Sequence, residues 1–351
     1  MRIAVIGLGI AGLSIAARLA QAGHGVEAFE QFELAHARGS SHGDTRIIRM
    51  TPGEGEPYIE LARRAAPLWR VWEHEHGRPL IDWIGGVMAG PPGSAFVRAC
   101  EELSLRHAHP AAALTPSIVA HATDGALRIP SDWEVCRQGD CGVVQADAVR
   151  TFLIRFAVQS GARLHASSPL SPAEAALRFD RVICAAGAWN ARLMPERLRV
   201  ERRVLGWFRT RPHAPVICID DAAGVYGMPA PQGLYKIGLH AVGDACDPER
   251  VAEPNERDAA LLAKHAALYL QLDAPAPVRM ARCLYTLTPD SHFLIAPWPR
   301  EPRVLVFSCC SGHGFKYAPA FGELALDWLE GRDLPPAFTG AGGVAFTPLG
   351  G

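Results

Sequence analysis

The sequence predicts a mixed α/β chain in which a parallel-sheet domain is interrupted by an inserted antiparallel-sheet domain. An Ile- and Val-rich run at Arg2–Ile6 is typical of a buried parallel strand, and a helix of small and apolar residues follows over Ala11–Ala22. The next strand, Val26–Glu30, completes a β-α-β unit. Between Val204 and His240, short strands alternate with Pro and Gly, a pattern that favours an antiparallel sheet.

The remaining elements lie on both sides of that antiparallel region. Helices, the first of them kinked by Pro67, are predicted over Tyr58–Glu73, Ala146–Ser160, Asn255–Leu270 and Pro319–Glu330. Buried strands are predicted at Arg181–Ala186 and Val304–Ser308. The stretch from about Ile84 to Gly142 looks rich in strands and loops, and the tail after Leu334 is predicted to be irregular. We therefore expect the parallel-sheet domain to comprise residues 1–78, 142–200 and 284–351, and the inserted domain residues 79–141 and 201–283.

Composition argues against several classes of partner. The 351 residues carry a formal net charge of −1, so no long-range field favours nucleic acid or an anionic membrane surface. No apolar run has transmembrane length, and the start of the chain fits a buried strand better than an export signal. We therefore expect a cytoplasmic monomer with small-molecule partners.

The nine cysteines are expected to be thiols that hold no metal. Cys136 and Cys141 lie close in sequence, and Cys309 and Cys310 are adjacent. Neither pair has a second pair of ligands at the spacing of a zinc site.

A glycine-rich turn between the first strand and the first helix predicts a nucleotide site. In Gly7-Leu8-Gly9-Ile10-Ala11-Gly12, Gly7 permits the tight turn, Gly9 lets the backbone approach a pyrophosphate, and Gly12 lets helix and strand pack closely. The helix that opens at Ile10 and Ala11 offers backbone N–H groups and a positive dipole end to phosphates. Glu30 ends the second strand, where its carboxylate can accept hydrogen bonds from a ribose diol. These features predict a Rossmann-type site for NAD or FAD.

A polar segment with two arginines follows this unit and favours FAD. Ser40–Arg49 lies where the far end of a long cofactor would be placed, whereas an NAD-binding domain would continue into another helix. Gly187 follows a strand that ends in Ala-Ala, which fits a close approach to a second part of such a cofactor. An NAD-dependent enzyme is the alternative.

Five blocks resemble the monomeric sarcosine oxidase and N-methyltryptophan oxidase group, FAD-dependent amine oxidases of the D-amino-acid oxidase superfamily. In chain order they are Gly7–Gly12 with Glu30, Ser41–Arg49, Tyr226–Pro229 through Lys236–His240, Cys283–Thr286, and Ser311–Lys316. The resemblance implies a Rossmann-type FAD-binding domain with an inserted antiparallel-sheet substrate domain. It is poor over residues 90–142 and 210–225, parts of which look shortened.

The resemblance also implies which residues contact the flavin. Cys283 matches a cysteine bonded covalently to the flavin 8-methyl carbon, and Arg282, if it faces the site, would lower the pKa of that thiol. Arg46 matches a residue beside the flavin, and His42 matches one on the same edge. Five further residues are expected against the cofactor: Ser40, Thr45, Gly312, Gly314 and Phe315. From the residues alone, a buried structural cysteine is the favoured interpretation of Cys283.

Further matches concern the substrate and oxygen. Lys316 and Arg49 match the two residues that bind the substrate carboxylate in the family. Lys316 is also expected to adjoin the flavin. Lys236 matches the lysine that activates molecular oxygen. Three residues match those that line the pocket: Tyr226, His240 and Tyr285. From the residues alone, surface salt bridges and a solvent-facing strand lysine stay open as alternatives.

These matches imply oxidation of a secondary or N-methyl amino acid to an imine, with hydrogen peroxide formed from molecular oxygen. The alternatives are a dehydrogenase with another electron acceptor, an oxidase of a cyclic amino acid such as pipecolate or proline, and a flavin-binding protein without catalysis. Cys309 and Cys310 replace the apolar residues or glycine usual in the family, and Met228 and Leu239 replace aromatic residues. The side chain of the substrate is therefore left open.

Overall fold

The computed structural model describes residues 1–210, 214–340 and 349–350. In chain order, the strands of this part are β1 (Arg2–Ile6), β2 (Gly25–Phe29), β3 (Thr45–Arg49), β4 (Ile81–Asp82), β5 (Gly86–Gly90), β6 (Ala111–Leu114), β7 (Glu134–Gln138), β8 (Cys141–Gln145), β9 (Arg163–His165), β10 (Arg181–Cys184), β11 (Arg199–Arg209), β12 (Val216–Ile219), β13 (Val225–Ala230), β14 (Leu234–Leu239), β15 (Asp244–Ala245), β16 (Arg279–Leu287), β17 (Leu294–Trp298) and β18 (Glu301–Ser308).

The α-helices of the same residues are α1 (Ile10–Gln21), α2 (Glu56–His76), α3 (Ala95–Arg106), α4 (Pro116–Ala122), α5 (Ala146–Gln159), α6 (Pro172–Arg178), α7 (Glu256–Tyr269), α8 (Ala318–Leu329) and α9 (Pro336–Thr339). Among these described helices, none combines the length and the apolar character that crossing a membrane requires.

Six strands form an open sheet in the order β17-β18-β10-β1-β2-β9. All neighbouring strands are parallel except β17, which runs antiparallel to β18. Apolar side chains of α1, α5 and α8 pack on one face, while side chains of α6 pack on the other. A parallel sheet covered on both faces is the doubly wound arrangement, so the predicted Rossmann-type domain is confirmed.

The second sheet has nine strands, in the order β15-β11-β14-β13-β12-β5-β7-β6, with β16 also paired to β11. Its strands pair in antiparallel fashion, apart from β5 with β12. The predicted antiparallel sheet is confirmed, although residues 211–213 of the predicted region lie outside the described residues. A third sheet, β3-β8-β4, contains the segment with two arginines.

The carboxyl ends of the central parallel strands meet at one edge of the six-stranded sheet. β1 ends just before Gly7, β2 just before Glu30, and β10 a short turn before Gly187. Ligands of open α/β sheets bind at this edge. The sheet therefore brings together the glycine-rich turn, the acidic residue and Gly187 from distant parts of the chain.

The region from about Ile84 to Gly142, predicted to be rich in strands and loops, contains β5, β6 and β7 but also the helices α3 and α4, which were not predicted. The Ser94 hydroxyl caps α3 by accepting a hydrogen bond from Val97 N at 3.1 Å. Phe96, Cys100 and Leu103 then bury one face of the helix. The helix α6 was also not predicted, although Ser171 and Glu174 form a capping box at its start.

Two other predictions need qualification. The tail predicted to be irregular contains the short helix α9, and residues 341–348 and 351 lie outside the described part. The predicted domain boundary between residues 283 and 284 falls inside β16. Because β16 pairs with β11 from Arg279 to Leu287, residues 284–287 stay with the nine-stranded sheet.

Gly12→Ala should destabilise the six-stranded-sheet domain, because a Cβ at this position would overlap the carbonyl oxygen of Gly7. We expect the free energy of unfolding to fall by about 3 kcal/mol, at the upper end for overpacking a buried position. Gly25→Ala is the control, since the nearest atom to a Cβ there is 3.7 Å away. Urea denaturation followed by circular dichroism measures both variants, and equal losses would contradict this explanation.

Candidate active site

A cavity of about 680 Å³ is lined by residues from both large sheets. The predicted cofactor residues on its wall are Gly7, Gly9, Ile10, Ala11, Glu30, Ser40, Arg46, Gly187, Cys283, Gly312, Gly314, Phe315 and Lys316. The residues predicted for catalysis line the same cavity: Arg46, Arg49, Tyr226, Lys236, His240 and Lys316. The fold thus gathers the five sequence blocks around one space.

Three predicted cofactor residues are not on the cavity wall. Gly12 lets α1 pack against the Gly7 carbonyl. His42 is 8% exposed, and burial followed by the charge of Arg46 lowers its pKa to about 4. Thr45 presents its carbonyl oxygen to Lys236. Gly12 and Thr45 therefore contact residues that line the cavity without lining it themselves.

The glycine-rich turn is held by side chains that follow it in sequence. Leu8 N donates to Glu30 Oε2 at 2.8 Å, and Ile10 N donates to Ser41 Oγ at 3.0 Å. Gly7 has a φ of 90°, and a Cβ there would lie 2.7 Å from the Ala185 carbonyl oxygen. Only glycine combines this conformation with so close an approach between the ends of β1 and β10.

Arg46 holds the polar segment in shape. Its Nη2 atom donates to the carbonyl oxygens of Ser40 and His42, each at 2.6 Å, and its Nη1 atom donates to that of Thr45 at 2.8 Å. The guanidinium also lies 5.5 Å from the centre of the Phe315 ring. With a further hydrogen bond from Nη1 to the Gly43 carbonyl oxygen at 3.4 Å, Arg46 places a positive charge on the cavity wall while donating to four nearby carbonyl groups.

Lys236 faces inward from β14 and is 1% exposed, so the alternative of a solvent-facing lysine is excluded. Its Nζ atom donates to the carbonyl oxygens of Gly43 at 2.6 Å and Thr45 at 2.7 Å. Burial, then the nearby charge of Arg46, holds the pKa of this amine well below its ordinary value. The chain has only three lysines, and of these Lys236 and Lys316 are buried at the cavity while Lys264 is exposed.

Glu54 joins the two cations predicted to bind a carboxylate. Arg49 Nη2 donates to both carboxylate oxygens of Glu54, at 3.2 and 3.0 Å. Lys316 Nζ donates to Glu54 Oε1 at 3.2 Å and to the His313 carbonyl oxygen at 3.0 Å. All three charged residues are 6% exposed. Arg49 and Lys316 therefore converge on a carboxylate of the chain itself.

The charges of this cluster depend on one another. Burial opposes ionisation of Glu54, but Arg49 and Lys316 hold its pKa far below the usual range. Burial lowers the pKa of Lys316, while Glu54 counteracts this shift. With both cations protonated, the cluster has two positive charges and one negative charge. It therefore carries a net charge of about +1 inside the protein.

Two tyrosines and a histidine form a second group on the wall. The Tyr285 hydroxyl lies 3.5 Å from the Tyr226 hydroxyl and 3.5 Å from His240 Nδ1. The guanidinium of Arg203 lies 4.7 Å from the centre of the Tyr285 ring. Arg282 does not line the cavity; its Nε atom pairs with Glu253 at 2.7 Å, so the expected contact with the Cys283 site is not formed.

All nine cysteines lie in the described residues, and none of them is paired in a disulfide. Cys309 and Cys310 both line the cavity, and burial raises the pKa of each thiol. Cys310 Sγ accepts from Thr286 N at 3.5 Å, which fixes it beside β16. In the described ranges, no group of three or more His, Cys, Asp or Glu side chains could hold a metal ion.

Sequence reasoning missed several wall residues. Glu54 had a local signal, because it stands between two glycines shortly after the two arginines. Arg150 lines the cavity from α5, where it is 5% exposed and donates to the His36 carbonyl oxygen at 2.8 Å. Phe96 and Cys218 line it from α3 and β12. The last three depend on tertiary pairing, which no local pattern reveals.

Residues 2–328 match the family model DAO, described as FAD dependent oxidoreductase. The chain is 31% identical to monomeric sarcosine oxidase of Streptomyces avermitilis, over 92% of each chain. It is 30% identical to N-methyl-L-tryptophan oxidase of Salmonella agona, over 95% of this chain and 96% of that protein.

Solved structures share the fold. A variant of NikD, an unusual amino acid oxidase essential for nikkomycin biosynthesis, superposes with a TM-score of 0.81 at 21% identity and 96% coverage of both chains. L-proline dehydrogenase from P. horikoshii gives a TM-score of 0.76 at 19% identity, over 96% of this chain and 95% of that chain. Together with the cavity, the matches in sequence show that the chain belongs to the DAO family of FAD-dependent oxidoreductases, as a flavin-dependent amine or amino-acid oxidase acting on CH–NH groups.

Proposed function

We propose that this enzyme oxidises a secondary or N-methyl amino acid to its imine and passes the two electrons to molecular oxygen, forming hydrogen peroxide. The observation that carries the proposal is the buried cluster of Arg49, Glu54 and Lys316, in the same cavity as the nucleotide-binding turn. The imine then hydrolyses in water.

The cavity fits the cofactor of the family. Gly9 and Gly187 lie on its wall, and a Cβ at Gly187 would meet nothing within 4 Å, so the backbone there faces open space. The glycine-rich turn and Glu30 would hold the nucleotide half, and Arg46 with residues 312–316 would hold the flavin half. Bound FAD supplies the two-electron oxidation of the carbon–nitrogen bond and the transfer of those electrons to oxygen.

The net charge of the cluster favours an anionic substrate group. Because two cations and one carboxylate are buried together, about one positive charge is left unbalanced. A substrate carboxylate would balance this charge and accept hydrogen bonds from Arg49, whose planar guanidinium suits two parallel bonds. Two fixed points of attachment would also orient the amine toward the cofactor half of the cavity.

Neighbouring histidines do not add to this charge. Burial, followed by the charge of Arg203, lowers the pKa of His240 to about 4. Burial, followed by the charge of Lys316, lowers the pKa of His313 to about 3. Both imidazoles are therefore neutral near pH 7, and His240 can accept a hydrogen bond from Tyr285 without repelling a protonated amine.

Lys236 supports an oxidase over a dehydrogenase. Its amine is buried and donates to two backbone carbonyls, next to Arg46. Positive charge fixed in such a site stabilises the negative charge that oxygen acquires on reduction.

Cys283 supports a covalent flavin. Its side chain is 6% exposed and lines the cavity from β16. Cys310 lines the same cavity, which makes it a matched thiol for comparison.

The principal test is peroxide release from a panel of N-methyl and cyclic amino acids, combined with Lys316→Met. Loss of one charged hydrogen bond of about 2 kcal/mol should raise the KM of the best substrate about 30-fold. Lys264→Met is the control, because Lys264 is exposed on α7.

An unchanged KM for Lys316→Met would contradict the carboxylate site. Turnover that reduces an artificial acceptor without peroxide would identify a dehydrogenase instead. No turnover of any member of the panel would contradict the proposed substrate class.

Acid precipitation followed by mass analysis tests the covalent bond. We expect flavin to remain on the peptide that contains Cys283, and Cys283→Ser to release it into the supernatant. Cys310→Ser should retain the flavin, since that thiol only lines the cavity. Free flavin from the unmodified enzyme would refute the linkage while leaving the fold intact.

Stability should fall as the pH drops from about 6.5 to about 4. The pKa values of His42, His240 and His313 are lowered to about 4, 4 and 3, so below pH 6.5 the unfolded chain binds protons that the folded chain does not. Each histidine then contributes at most about 1.4 kcal/mol of lost stability per pH unit. Denaturant titrations at several pH values measure the slope.

His42→Gln should make this slope shallower by about one proton. His74→Gln is the control, because His74 is exposed on α2 and should leave the slope unchanged. A slope insensitive to His42→Gln would show that acid destabilisation has another origin.

A further inference from the structure

One part of the cavity belongs to an apolar cluster rich in sulfur. The cluster contains Met88, Cys100, Cys136, Cys141, Cys218 and Met228. Three residues of the cluster also line the cavity: Phe96, Cys218 and Met228. Three residues that pack against the cluster line it as well: Ile47, Tyr226 and Leu349. We call these six residues the side-chain chamber. Their surfaces are apolar, with one hydroxyl and one thiol among them.

Arg49 lies at the border between this chamber and the charged cluster. One side of its guanidinium pairs with Glu54, while Nη1 lies 3.5 Å from Cys100 Sγ and 3.9 Å from Met88 Sδ. The guanidinium also lies 5.4 Å from the centre of the Phe96 ring. A molecule whose carboxylate binds Arg49 therefore has the apolar chamber directly beside it.

Asp220 fixes two walls of the chamber in place. Its Oδ2 atom accepts from Ser94 Oγ at 2.6 Å, at the start of the helix that carries Phe96. Its Oδ1 atom accepts from Gly350 N at 2.9 Å, directly after Leu349. One carboxylate thus positions Phe96 and Leu349 across from β12 and β13, which supply Cys218 and Met228.

Gly350 fits closely where it docks. It has a φ of 74°, and a Cβ there would lie 2.8 Å from Gly224 N and 2.9 Å from the Asp221 carbonyl oxygen. Glycine suits this position, so a substitution at Gly350 would disturb the contact with Asp220 that lies next to Leu349. Leu349 itself is only partly buried, so its side chain can be shortened without opening the core.

We propose that this chamber binds the side chain of the substrate, and that Leu349 limits the length of side chain it accepts. This inference rests on the proposed oxidation of an amino acid. The substrate class is an amino acid with an uncharged aliphatic or aromatic side chain. Apolar walls favour such side chains by burial, whereas an amide or a carboxylate would lose its hydration without new partners. Thioether and thiol groups adapt to side chains of different shape.

The first test compares N-methyl derivatives of alanine, leucine, asparagine and phenylalanine on the holoenzyme. Leucine and asparagine have nearly the same size, so kcat/KM for the leucine derivative should exceed that for the asparagine derivative by about tenfold or more. Leu349→Ala should increase the kcat/KM for the phenylalanine derivative, relative to that for the alanine derivative, about tenfold. Leu349→Met keeps the volume and should leave this ratio unchanged.

The second test does not require turnover. Acetate, butyrate and hexanoate are titrated into the holoenzyme while the flavin absorbance is followed. Each added methylene should lower Kd about fourfold until the chamber is full. Leu349→Ala should extend this trend to longer chains than the unmodified enzyme accepts.

Equal Kd values along the carboxylate series, or a series unaffected by Leu349→Ala, would overturn the inference. A preference for the asparagine derivative over the leucine derivative would overturn it as well. If no N-methyl amino acid is oxidised but Kd still falls along the carboxylate series, the proposed function is contradicted. The binding of apolar chains by the side-chain chamber is then still supported.

Discussion

The carboxylate of Glu54 is the interaction on which the active site depends. It bonds to Arg49 at the end of β3 and to Lys316 just before α8, so it connects two segments that are far apart in sequence. Removing one partner from a buried ion pair costs about 3–5 kcal/mol, because the remaining charge loses both water and its counter-ion. Glu54 therefore stabilises two cations that are buried at the cavity.

A different solution serves the cations on the other side of the cavity. Lys236 and Arg46 share the carbonyl oxygens of Gly43 and Thr45, without a carboxylate between them. Backbone dipoles stabilise these charges without neutralising them. A Cβ at Gly43 would lie 3.7 Å from Lys236 Nζ and 3.8 Å from Arg46 Nη1, which shows how closely the loop lies between them. The cavity thus has one cation pair bridged by a carboxylate and one pair held by backbone carbonyl groups.

Much of this arrangement was readable from the sequence because it is local. The glycine-rich turn, Glu30 and the parallel strands follow from spacing and apolar runs, and the structure confirms the two-sheet architecture. Glu54 was missed although it stands between two glycines, and its ion pair with Lys316 depends on the tertiary fold. The role considered for Arg282 required its side chain to face the Cys283 site, and the side chain pairs with Glu253 instead. α3 could have been found from Ser94 and its apolar face, so that error lay in the reading of a visible pattern.

The scarcity of lysine has a practical consequence. The positive charge of the surface comes almost entirely from arginine, since Lys236 and Lys316 are buried and Lys264 is the remaining lysine. Among the lysine side chains, a reagent selective for primary amines would therefore meet one accessible target, on α7. Because α7 packs on the nine-stranded sheet and Lys264 does not line the cavity, coupling through this side chain would attach the enzyme at a defined point with the cavity unobstructed.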